Sequence, residues 1–407
     1  MDQNVAIVKE RSCPIGFRRT FSLEMFPPFC QHVPVKFAAG SPLGLWAASR
    51  HECPGPTLSP GSIPSMRAAF IHAAYDVRLG ELPEPVPGDG EVLVDIECVG
   101  ICGSDLHYYK DGAIGAAQVI AEPFVPGHEF AGRVRESVPG RGIEAGDLVV
   151  IDPCQPCGRC EWCLRGEHNL CPKVVMHGAP PKAGAMTRTI AARRDQLFAA
   201  PRNFDATAAA MAEPLGVGIH ATDLARPQWF ESVVILGAGP IGLIILQLVR
   251  LAGADRVMVV DPVDYRRRKA LELGAQEVSA HHEDTASWTG GRGADLVIEA
   301  TNSPEGLQHA ADAARIGGRC VIVGIPDGNT YRIEASAPRR KQLTMMFSRR
   351  MGDVIPRAIR LIADGRVDMK ALVSHHIDLD DVPEAFRKLA ACEDGAIKII
   401  VDIAGHP

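Results

Sequence analysis

The sequence predicts an α/β fold in two parts: a β-rich first part, then a parallel sheet covered by helices on both faces. Three observations predict it. At 407 residues the chain is too long for one ordinary hydrophobic core. Between Met66 and Phe198, strand patterns, turns and glycines dominate. From Ala206 onward, short apolar strands alternate with helical segments, which is typical of parallel sheets.

The first part opens with two strands that the residue pattern predicts clearly. Met66–His72 is short and apolar, and Glu91–Gly100 alternates as a half-buried strand does, directly after the turn at Pro87–Gly90. The second part and the C-terminal region then supply alternating elements. In chain order the predicted elements are strand Ser232–Leu236, helix Pro240–Ala252, strand Arg256–Val260, helix Asp264–Leu273, strand Ala294–Glu299, helix Glu305–Ala314, strand Gly318–Gly324, helix Asp353–Asp364, helix Leu379–Ala391 and strand Ile397–Ile403.

Composition and charge exclude several classes of protein. Hydrophobic residues make up 46% and charged residues 23%, which describes a globular chain rather than a disordered one. The formal net charge of −6 and the absence of a long basic run argue against a nucleic-acid partner. The most apolar helix-like stretch, Ile241–Val249, is too short to span a bilayer, so we expect no membrane segment.

Residues 1–65 differ from the rest of the chain. They are rich in proline and show no sustained helical or strand period, so we expect a disordered extension. The alternatives are that this segment is a targeting or interaction arm, or that the translation start is assigned too far upstream. The opening Met1–Glu10 is polar and lacks the apolar core of a signal peptide, which predicts a cytoplasmic protein.

Clustered cysteines predict a structural metal site. The segment has the spacing C-x2-C-x2-C-x7-C, which lets four thiolates converge on one ion in a tetrahedron. A closed set of four thiolates leaves no position for substrate, so the predicted ion is a structural zinc; an iron–sulfur cluster is the alternative. Cysteines at this spacing in a large acidic chain also favour a reducing compartment. The predicted ligands are Cys157, Cys160, Cys163 and Cys171.

A glycine-rich loop predicts a dinucleotide site. The motif Gly237–Gly242 (GAGPIG) follows a predicted strand and opens a predicted helix, and Asp261 ends the next strand. Gly237 permits a tight turn, Gly239 lets the backbone approach a pyrophosphate, and Gly242 allows close helix packing. A carboxylate at Asp261 would accept the ribose hydroxyls, which selects NAD over NADP. Arginines follow it closely, at positions 266 to 268, and could instead meet a 2′-phosphate.

A second group of ligand residues is dispersed along the chain. One thiolate, one imidazole and two carboxylates form a set suited to a catalytic zinc with an open position. Asp105 could accept the far N–H of the imidazole and fix its ring. The residues are Cys102, His128, Glu129 and Glu213.

From Met66 onward the chain resembles the zinc-dependent medium-chain dehydrogenases of the polyol branch. The motifs that carry the resemblance are GICGSDLHYY, PGHE, CGRCEWC, EPLGVGIHA and GAGPIG, and they are highly specific as a set. The resemblance implies a GroES-like catalytic domain at 66–215 that holds both zinc sites. It also implies a Rossmann NAD-binding domain at 216–350 and a segment at 351–407 that returns to the catalytic domain.

The resemblance also implies roles for individual residues. Cys102, His128 and Glu129 match the catalytic zinc ligands, and Glu213 matches a fourth, sometimes water-mediated, carboxylate. Ser104 and His107 match a proton relay that runs through the cofactor ribose. The expected substrate contacts are Tyr108 and Arg349, and Arg349 is expected close to the nicotinamide. Further expected cofactor contacts are Ile241, Arg266, Val323, Gly324, Ile325, Phe347 and Ser348.

The predicted activity is transfer of a hydride from a secondary hydroxyl of a polyol or sugar acid to NAD. The run Phe347–Arg350 departs from the Phe-Arg-Tyr common in polyol enzymes, so L-threonine or a simple secondary alcohol is an alternative substrate. An alternative of another class is a non-catalytic nucleotide-binding regulatory protein, and a zinc-free quinone reductase is a further one; the retained ligands and relay residues disfavour both. We expect a small hydroxylated substrate as partner, and a homo-oligomer, either dimer or tetramer.

Overall fold

The computed structural model describes residues 65–115 and 118–404, without the side chain of Gln118. The predicted extension at 1–65 therefore lies outside the described residues, apart from Ser65. The described helices include none that is long and apolar enough to cross a membrane. The domain boundaries stay a prediction.

The first part of the chain is rich in strands, as predicted. Its strands are β1 Ser65–Ala73, β2 Asp76–Pro83, β3 Glu91–Gly100, β4 Ala113–Ile114, β5 Gln118–Val119, β6 Glu129–Val134, β7 Leu148–Ile151, β8 Cys154–Gln155, β9 Val175–Met176, β10 Thr189–Arg193 and β11 Leu197–Ala199. Its helices are α1 Gly103–Asp111, α2 Glu161–Leu164, α3 Ala206–Ala210 and α4 Ala212–Ala225, with 3-10 turns at His168–Leu170 and Arg194–Gln196.

The second part alternates strands and helices. Its strands are β12 Ser232–Leu236, β13 Arg256–Val260, β14 Glu277–Ser279, β15 Ala294–Glu299, β16 Ala314–Ile322 and β17 Thr344–Phe347. Its helices are α5 Pro240–Leu251, α6 Asp264–Glu272, α7 Asp284–Trp288, α8 Gly306–Ala313 and α9 Ser336–Lys341, with a 3-10 turn at Asp327–Asn329. All pairs in this sheet are parallel, in the order β14-β13-β12-β15-β16-β17. The order reverses between β12 and β15, and ligands of such sheets bind at the carboxyl ends beside that reversal.

The C-terminal region returns to the first sheet. It consists of α10 Ile355–Ala363, β18 Val373–Asp378, α11 Val382–Ala391 and β19 Lys398–Asp402, with 3-10 turns at Lys370–Leu372 and Leu379–Asp381. The first sheet has the order β11-β7-β6-β3-β19-β18, and β10 also pairs with β3. β19 lies antiparallel to β3, with Ile400 opposite Gly100. The last strand of the chain therefore lies directly beside the strand that leads into α1.

The observed elements agree with most of the predicted ones to within a few residues. Strand β16 begins at Ala314 rather than Gly318, and helix α11 begins at Val382 because Leu379–Asp381 forms a 3-10 turn. Helix α4 and the strands β17 and β18 were not predicted. Helix α4 packs tightly on α5, where a Cβ at Gly218 would overlap Ile244.

Candidate active site

Three candidate metal ligands meet where β3 enters α1 and β6 begins. Ligand atoms of Cys102, His128 and Glu129 all lie within 4.8 Å of one another. Cys102 precedes the first residue of α1, and Glu129 is the first residue of β6. A Cβ at Gly100 would overlap the Glu129 carboxylate, so only glycine fits opposite it. The predicted thiolate, imidazole and carboxylate are thus close enough together to share one ion.

Asp105 orients the imidazole of this cluster. It is fully buried, and its carboxylate accepts hydrogen bonds from the backbone N–H of Cys102 at 3.0 Å and of Gly127 at 3.4 Å. Its Oδ1 lies 3.5 Å from His128 Nδ1, which leaves Nε2 to face the cluster. Burial works to lower the pKa of His128, but the Asp105 and Cys102 charges outweigh it and raise that pKa well above its ordinary value.

Lys398, which was not singled out from the sequence, binds the third ligand. Its Nζ donates to Glu129 Oε1 at 2.8 Å, to Glu129 Oε2 at 2.6 Å and to the carbonyl of Ile101 at 2.9 Å. Both side chains are 1% exposed. Burial works to lower the pKa of Lys398, yet the Glu129 carboxylate raises it above its usual range. The C-terminal strand β19 therefore supplies the counter-ion of a candidate metal ligand.

Acidic groups outnumber cations in this buried region. Burial raises the pKa of Glu213, at the start of α4, to about 8; the Glu129 charge adds to that shift and His128 opposes it. Burial likewise raises the pKa of Asp152 to about 6. Such shifts indicate carboxylates short of positive charge, so the residues fit a bound divalent cation. Glu213 lies outside the set of atoms within 4.8 Å, and its role as fourth ligand stays a prediction.

The predicted relay residue Ser104 and the predicted substrate contact Tyr108 both lie on α1. The Ser104 hydroxyl lies 3.3 Å from His128 Nε2. Tyr108 is 1% exposed, packs edge-on against Phe124, and its hydroxyl has no hydrogen-bond partner among the described residues. Burial, helped by the Asp105 charge, raises the pKa of Tyr108 to about 12, so its hydroxyl stays protonated and can donate a hydrogen bond.

The Tyr108 hydroxyl is within electrostatic range of Arg350, one residue beyond the predicted Arg349. The Arg349 side chain is exposed, and its carbonyl accepts a hydrogen bond from Asn169 Nδ2 at 3.0 Å. Arg350 has a φ of 54°, a left-handed conformation that costs energy for an arginine. Its guanidinium lowers the pKa of Tyr108, and its buried Nη1 has no partner among the described residues. The Arg350 guanidinium therefore acts on Tyr108, whereas the Arg349 side chain is exposed.

The predicted relay histidine lies further along α1. His107 is 8% exposed, and its Nδ1 lies 3.4 Å from Asp111 Oδ2 on the next turn of the helix. The described hydrogen bonds include none between His107 and Ser104.

The cysteines of the predicted structural site converge. Their ligand atoms lie within 4.8 Å of one another, with 3.4 Å between the sulfurs of Cys160 and Cys163 and 4.0 Å between those of Cys157 and Cys163. A tetrahedron with metal–sulfur bonds of about 2.3 Å places its sulfurs roughly 3.8 Å apart, so the group fits a zinc ion. The 3-10 turn that carries Asn169 lies between Cys163 and Cys171. This cysteine lobe therefore holds the Arg349–Arg350 turn through Asn169.

The glycine-rich loop has the shape that a dinucleotide needs. Gly237 has a φ of 98°, and a Cβ at Gly242 would overlap the Gly237 carbonyl. In contrast, a Cβ at Gly239 would meet nothing within 4 Å, so the space in front of the first turn of α5 is open. That open space beside helix N–H groups fits a pyrophosphate. Ile241 is half-buried at the start of α5.

The predicted ribose acceptor lies at the expected strand end, and the arginines after it have other partners. Asp261 accepts hydrogen bonds from the backbone N–H of Ala238 at 2.7 Å and of Val263 at 2.8 Å. Arg266, a predicted cofactor contact, donates to the sulfur of Cys392 at 3.4 Å. Arg267 donates to the Asp261 carbonyl, and Arg268 pairs with Asp264. None of the three arginines is described as binding the Asp261 carboxylate.

The other predicted cofactor contacts follow β16 and β17. Val323 and Gly324 donate their backbone N–H groups to the Glu299 carbonyl, and Ile325 is partly exposed. Phe347 is 59% exposed and contacts the ring of Tyr331, and the buried Ser348 hydroxyl has no partner among the described residues. All five predicted residues lie at the carboxyl end of the parallel sheet, the edge at which nucleotides bind.

Two family models match successive parts of the chain. Residues 88–202 match the alcohol dehydrogenase GroES-like domain, and residues 240–364 match the zinc-binding dehydrogenase domain. The sorbitol dehydrogenase of Bacillus subtilis strain 168 is 33% identical over 345 residues, covering 83% of this chain and 97% of that protein.

Solved structures are similar over the same region. The L-idonate 5-dehydrogenase of Escherichia coli K-12 is 28% identical with a TM-score of 0.76, covering 83% of this chain and 98% of its own. A putative zinc-binding dehydrogenase of Sinorhizobium meliloti 1021, bound to NADP, is 30% identical with a TM-score of 0.74, covering 83% of this chain and 99% of its own. The chain belongs to the zinc-dependent medium-chain dehydrogenase family and is an NAD(P)-dependent oxidoreductase.

Proposed function

We propose that the enzyme oxidises a secondary hydroxyl of a polyol or sugar acid and passes the hydride to NAD. The observation that carries the proposal is a set of buried donors without partners beside the metal-ligand cluster. The Tyr108 hydroxyl and the Arg350 Nη1 are both buried and unpaired among the described residues. Leaving such groups unpaired costs free energy, so a ligand with several oxygens is favoured over an apolar alcohol. The names of the similar sorbitol and L-idonate dehydrogenases support this substrate class.

Two zinc ions and one nicotinamide dinucleotide complete the proposed enzyme. Cys102, His128, Glu129 and Glu213 would hold the catalytic ion, and the cysteine lobe would hold the structural ion. The glycine-rich loop and Asp261 would hold the dinucleotide. When bound, the catalytic ion polarises the substrate hydroxyl and the nicotinamide accepts the hydride.

The residues of α1 would manage the proton. The Ser104 hydroxyl, beside His128, accepts a hydrogen bond from the substrate hydroxyl and takes up its proton while passing its own hydroxyl proton along the relay toward His107. His107 is the terminal base of the relay. Its Nδ1 faces Asp111, which leaves Nε2 to take up the proton before it passes to water.

Tyr108 and Arg350 would hold the rest of the substrate. The protonated Tyr108 hydroxyl donates to a neighbouring hydroxyl, and the Arg350 guanidinium binds a hydroxyl or a carboxylate two or more carbons away. Arg349 remains a proposed contact at the nicotinamide end.

We also propose a preference for NAD over NADP. Asp261 is 4% exposed and directly follows β13, where a carboxylate repels a 2′-phosphate. Arg267 donates to the Asp261 carbonyl and Arg268 pairs with Asp264, whereas Arg266 contacts Cys392 and keeps a buried Nε without a partner among the described residues. The proposed preference therefore rests on the Asp261 carboxylate.

The remaining proposals concern the whole molecule. Strand β17 ends the parallel sheet among the described strands, and an edge of this kind can pair with that of a second copy, which supports a homo-oligomer, either a dimer or a tetramer. The free thiols of the cysteine lobe support a reducing compartment such as the cytoplasm. We keep the domains at 66–215, 216–350 and 351–407.

Substitution of the two unpaired donors tests the proposed function. Tyr108→Phe and Arg350→Met should each lower kcat/KM for the best polyol or sugar acid about 10- to 100-fold, the loss expected for one buried hydrogen bond. Oxidation of 2-butanol, which has no second hydroxyl, should change less than about threefold on the same argument. The matched variant Arg349→Met is assayed in the same way, and comparing its loss in kcat/KM with that of Arg350→Met shows which arginine binds the substrate. Equal losses for polyol and 2-butanol in both donor variants would contradict the proposal.

A further inference from the structure

A loop after β16 contacts the relay helix α1 through a single carboxylate. Asp327 opens the 3-10 turn Asp327–Asn329, and its Oδ2 accepts hydrogen bonds from Lys110 Nζ and Asn302 Nδ2, both at 2.8 Å. Lys110 lies on α1, whereas Asn302 follows β15 of the parallel sheet. The Asp327 side chain therefore joins the relay helix to the part of the protein that binds the dinucleotide.

The other oxygen of this carboxylate faces the relay histidine. Asp327 Oδ1 is buried, has no hydrogen-bond partner among the described residues, and lies 3.8 Å from His107 Nδ1. Asp111 Oδ2 lies 3.4 Å from the same nitrogen. The gap to Oδ1 exceeds a hydrogen bond by less than 1 Å, so a small approach of the loop would close it.

We propose that Asp327 is a positioning residue of the proton relay, supplied to His107 by the dinucleotide-binding part of the chain. This inference rests on the proposed function. Asp327 and Asp111 together keep the proton of the neutral imidazole on Nδ1, so Nε2 is free to take up the proton released by the substrate. Both carboxylates lie beside the imidazolium and stabilise it until Nε2 gives its proton to water.

The charges around His107 set opposite expectations for two substitutions. Asp327 and Asp111 favour the imidazolium, and Lys110, held on Asp327, opposes it. Helix α11 and strands β1 and β4 also pack on α1, and no acidic side chain of theirs forms an ion pair with the His107 ring within the described residues. Loss of Asp327 should therefore favour the neutral ring, and loss of Lys110 should favour the charged ring.

The test compares Asp327→Asn and Lys110→Met in the zinc-loaded, full-length enzyme. The acid limb of kcat/KM for polyol oxidation, at saturating NAD, should move about 0.5 to 1 pH unit lower in Asp327→Asn. It should move higher in Lys110→Met. The control Asp255→Asn removes a carboxylate at the amino end of β13, far along the chain from the relay helix, and should leave the limb unchanged.

A second readout does not depend on turnover. The midpoint pH of the His107 ring signal in an NMR titration, assigned with His107→Gln, should move in the same opposite directions in the two variants. If Asp327 only bridged α1 and the dinucleotide-binding part of the chain, both variants would be less stable and the His107 midpoint pH would move in neither. Unmoved midpoints, or shifts of the same sign in both variants, would overturn the proposal. Absence of NADH formation from every substrate, with the midpoints shifted as expected, would refute the proposed function alone.

Discussion

Replacement of Lys398 by methionine should destabilise the protein strongly, because it leaves a buried carboxylate without its counter-ion. Lys398 Nζ makes three contacts: two with Glu129 and one with the Ile101 carbonyl. Both charged side chains are 1% exposed. Methionine has a similar length and fills the same space, so the change removes the charge and the donors with little loss of packing.

The magnitude follows from the burial. Breaking a fully buried ion pair by removing one partner costs about 3–5 kcal/mol, because the remaining charge is neither solvated nor paired. In zinc-loaded protein the metal ion would offset the Glu129 charge, so the loss should be smaller there. The matched control is Lys388→Met on α11, whose partner Asp394 lies at 3.0 Å with the two side chains 32% and 60% exposed. Exposed pairs of this kind contribute about 0–1 kcal/mol.

The assay is urea unfolding of each variant beside unmodified protein, once with zinc and once after chelation. Each variant is compared with unmodified protein under the same zinc condition, so the destabilisation caused by losing the structural zinc cancels from the difference in unfolding free energy. After chelation, Lys398→Met should lower the free energy of unfolding several times more than Lys388→Met does. In the presence of zinc, the difference between the two losses should be smaller. Equal losses in the two variants after chelation would refute the reasoning that Lys398 neutralises a buried Glu129.

Three further predictions concern the two proposed metal sites, the cofactor and the substrate site. Cys160→Ser should lose one of the two zinc ions and lower the unfolding midpoint. Cys102→Ser should instead lose turnover with a nearly unchanged unfolding midpoint. Metal analysis that finds fewer than two zinc ions in unmodified protein would contradict both expectations. Asp261→Ala should reduce the preference for NAD over NADP about 10- to 100-fold in kcat/KM, and a wild-type preference for NADP would show that Asp261 was misinterpreted. Asn169→Ala should raise KM for the polyol several-fold with kcat nearly kept, and the effect should vanish in an Arg350→Met background, since Asn169 acts through that turn.

Local spacing was sufficient to predict the cysteine lobe and the glycine-rich loop. Both are short segments in which residue type and separation dictate the geometry. Cys102 lies 26 residues before the adjacent pair His128 and Glu129, and their convergence was expected only from the combined motifs. The structure brings their ligand atoms within 4.8 Å of one another.

Other site residues depend on tertiary contacts that leave little trace in the sequence. Lys398 lies in an apolar run, and its importance follows from the pairing of β19 with β3. A lone lysine in a strand buried on both faces is the one signal that could have identified it. Arg349 and Arg350 are adjacent and of the same type, and only the structure shows that Arg350 has a buried nitrogen and acts on Tyr108. Helix α4 was missed because Pro214, Gly216 and Gly218 weaken the helical signal.

The most direct test of the central claim is NADH formation by the wild-type, zinc-loaded enzyme over a panel of substrates. The panel contains sorbitol, xylitol, L-idonate, L-threonine and 2-butanol, and each assay is repeated after chelation. Buried donors beside the metal-ligand cluster predict that the best polyol or sugar acid exceeds threonine in kcat/KM by at least about tenfold, a difference of roughly 1.4 kcal/mol. Chelation should abolish the activity. Threonine turning over as well as the best polyol or sugar acid, or activity that survives removal of zinc, would contradict the account.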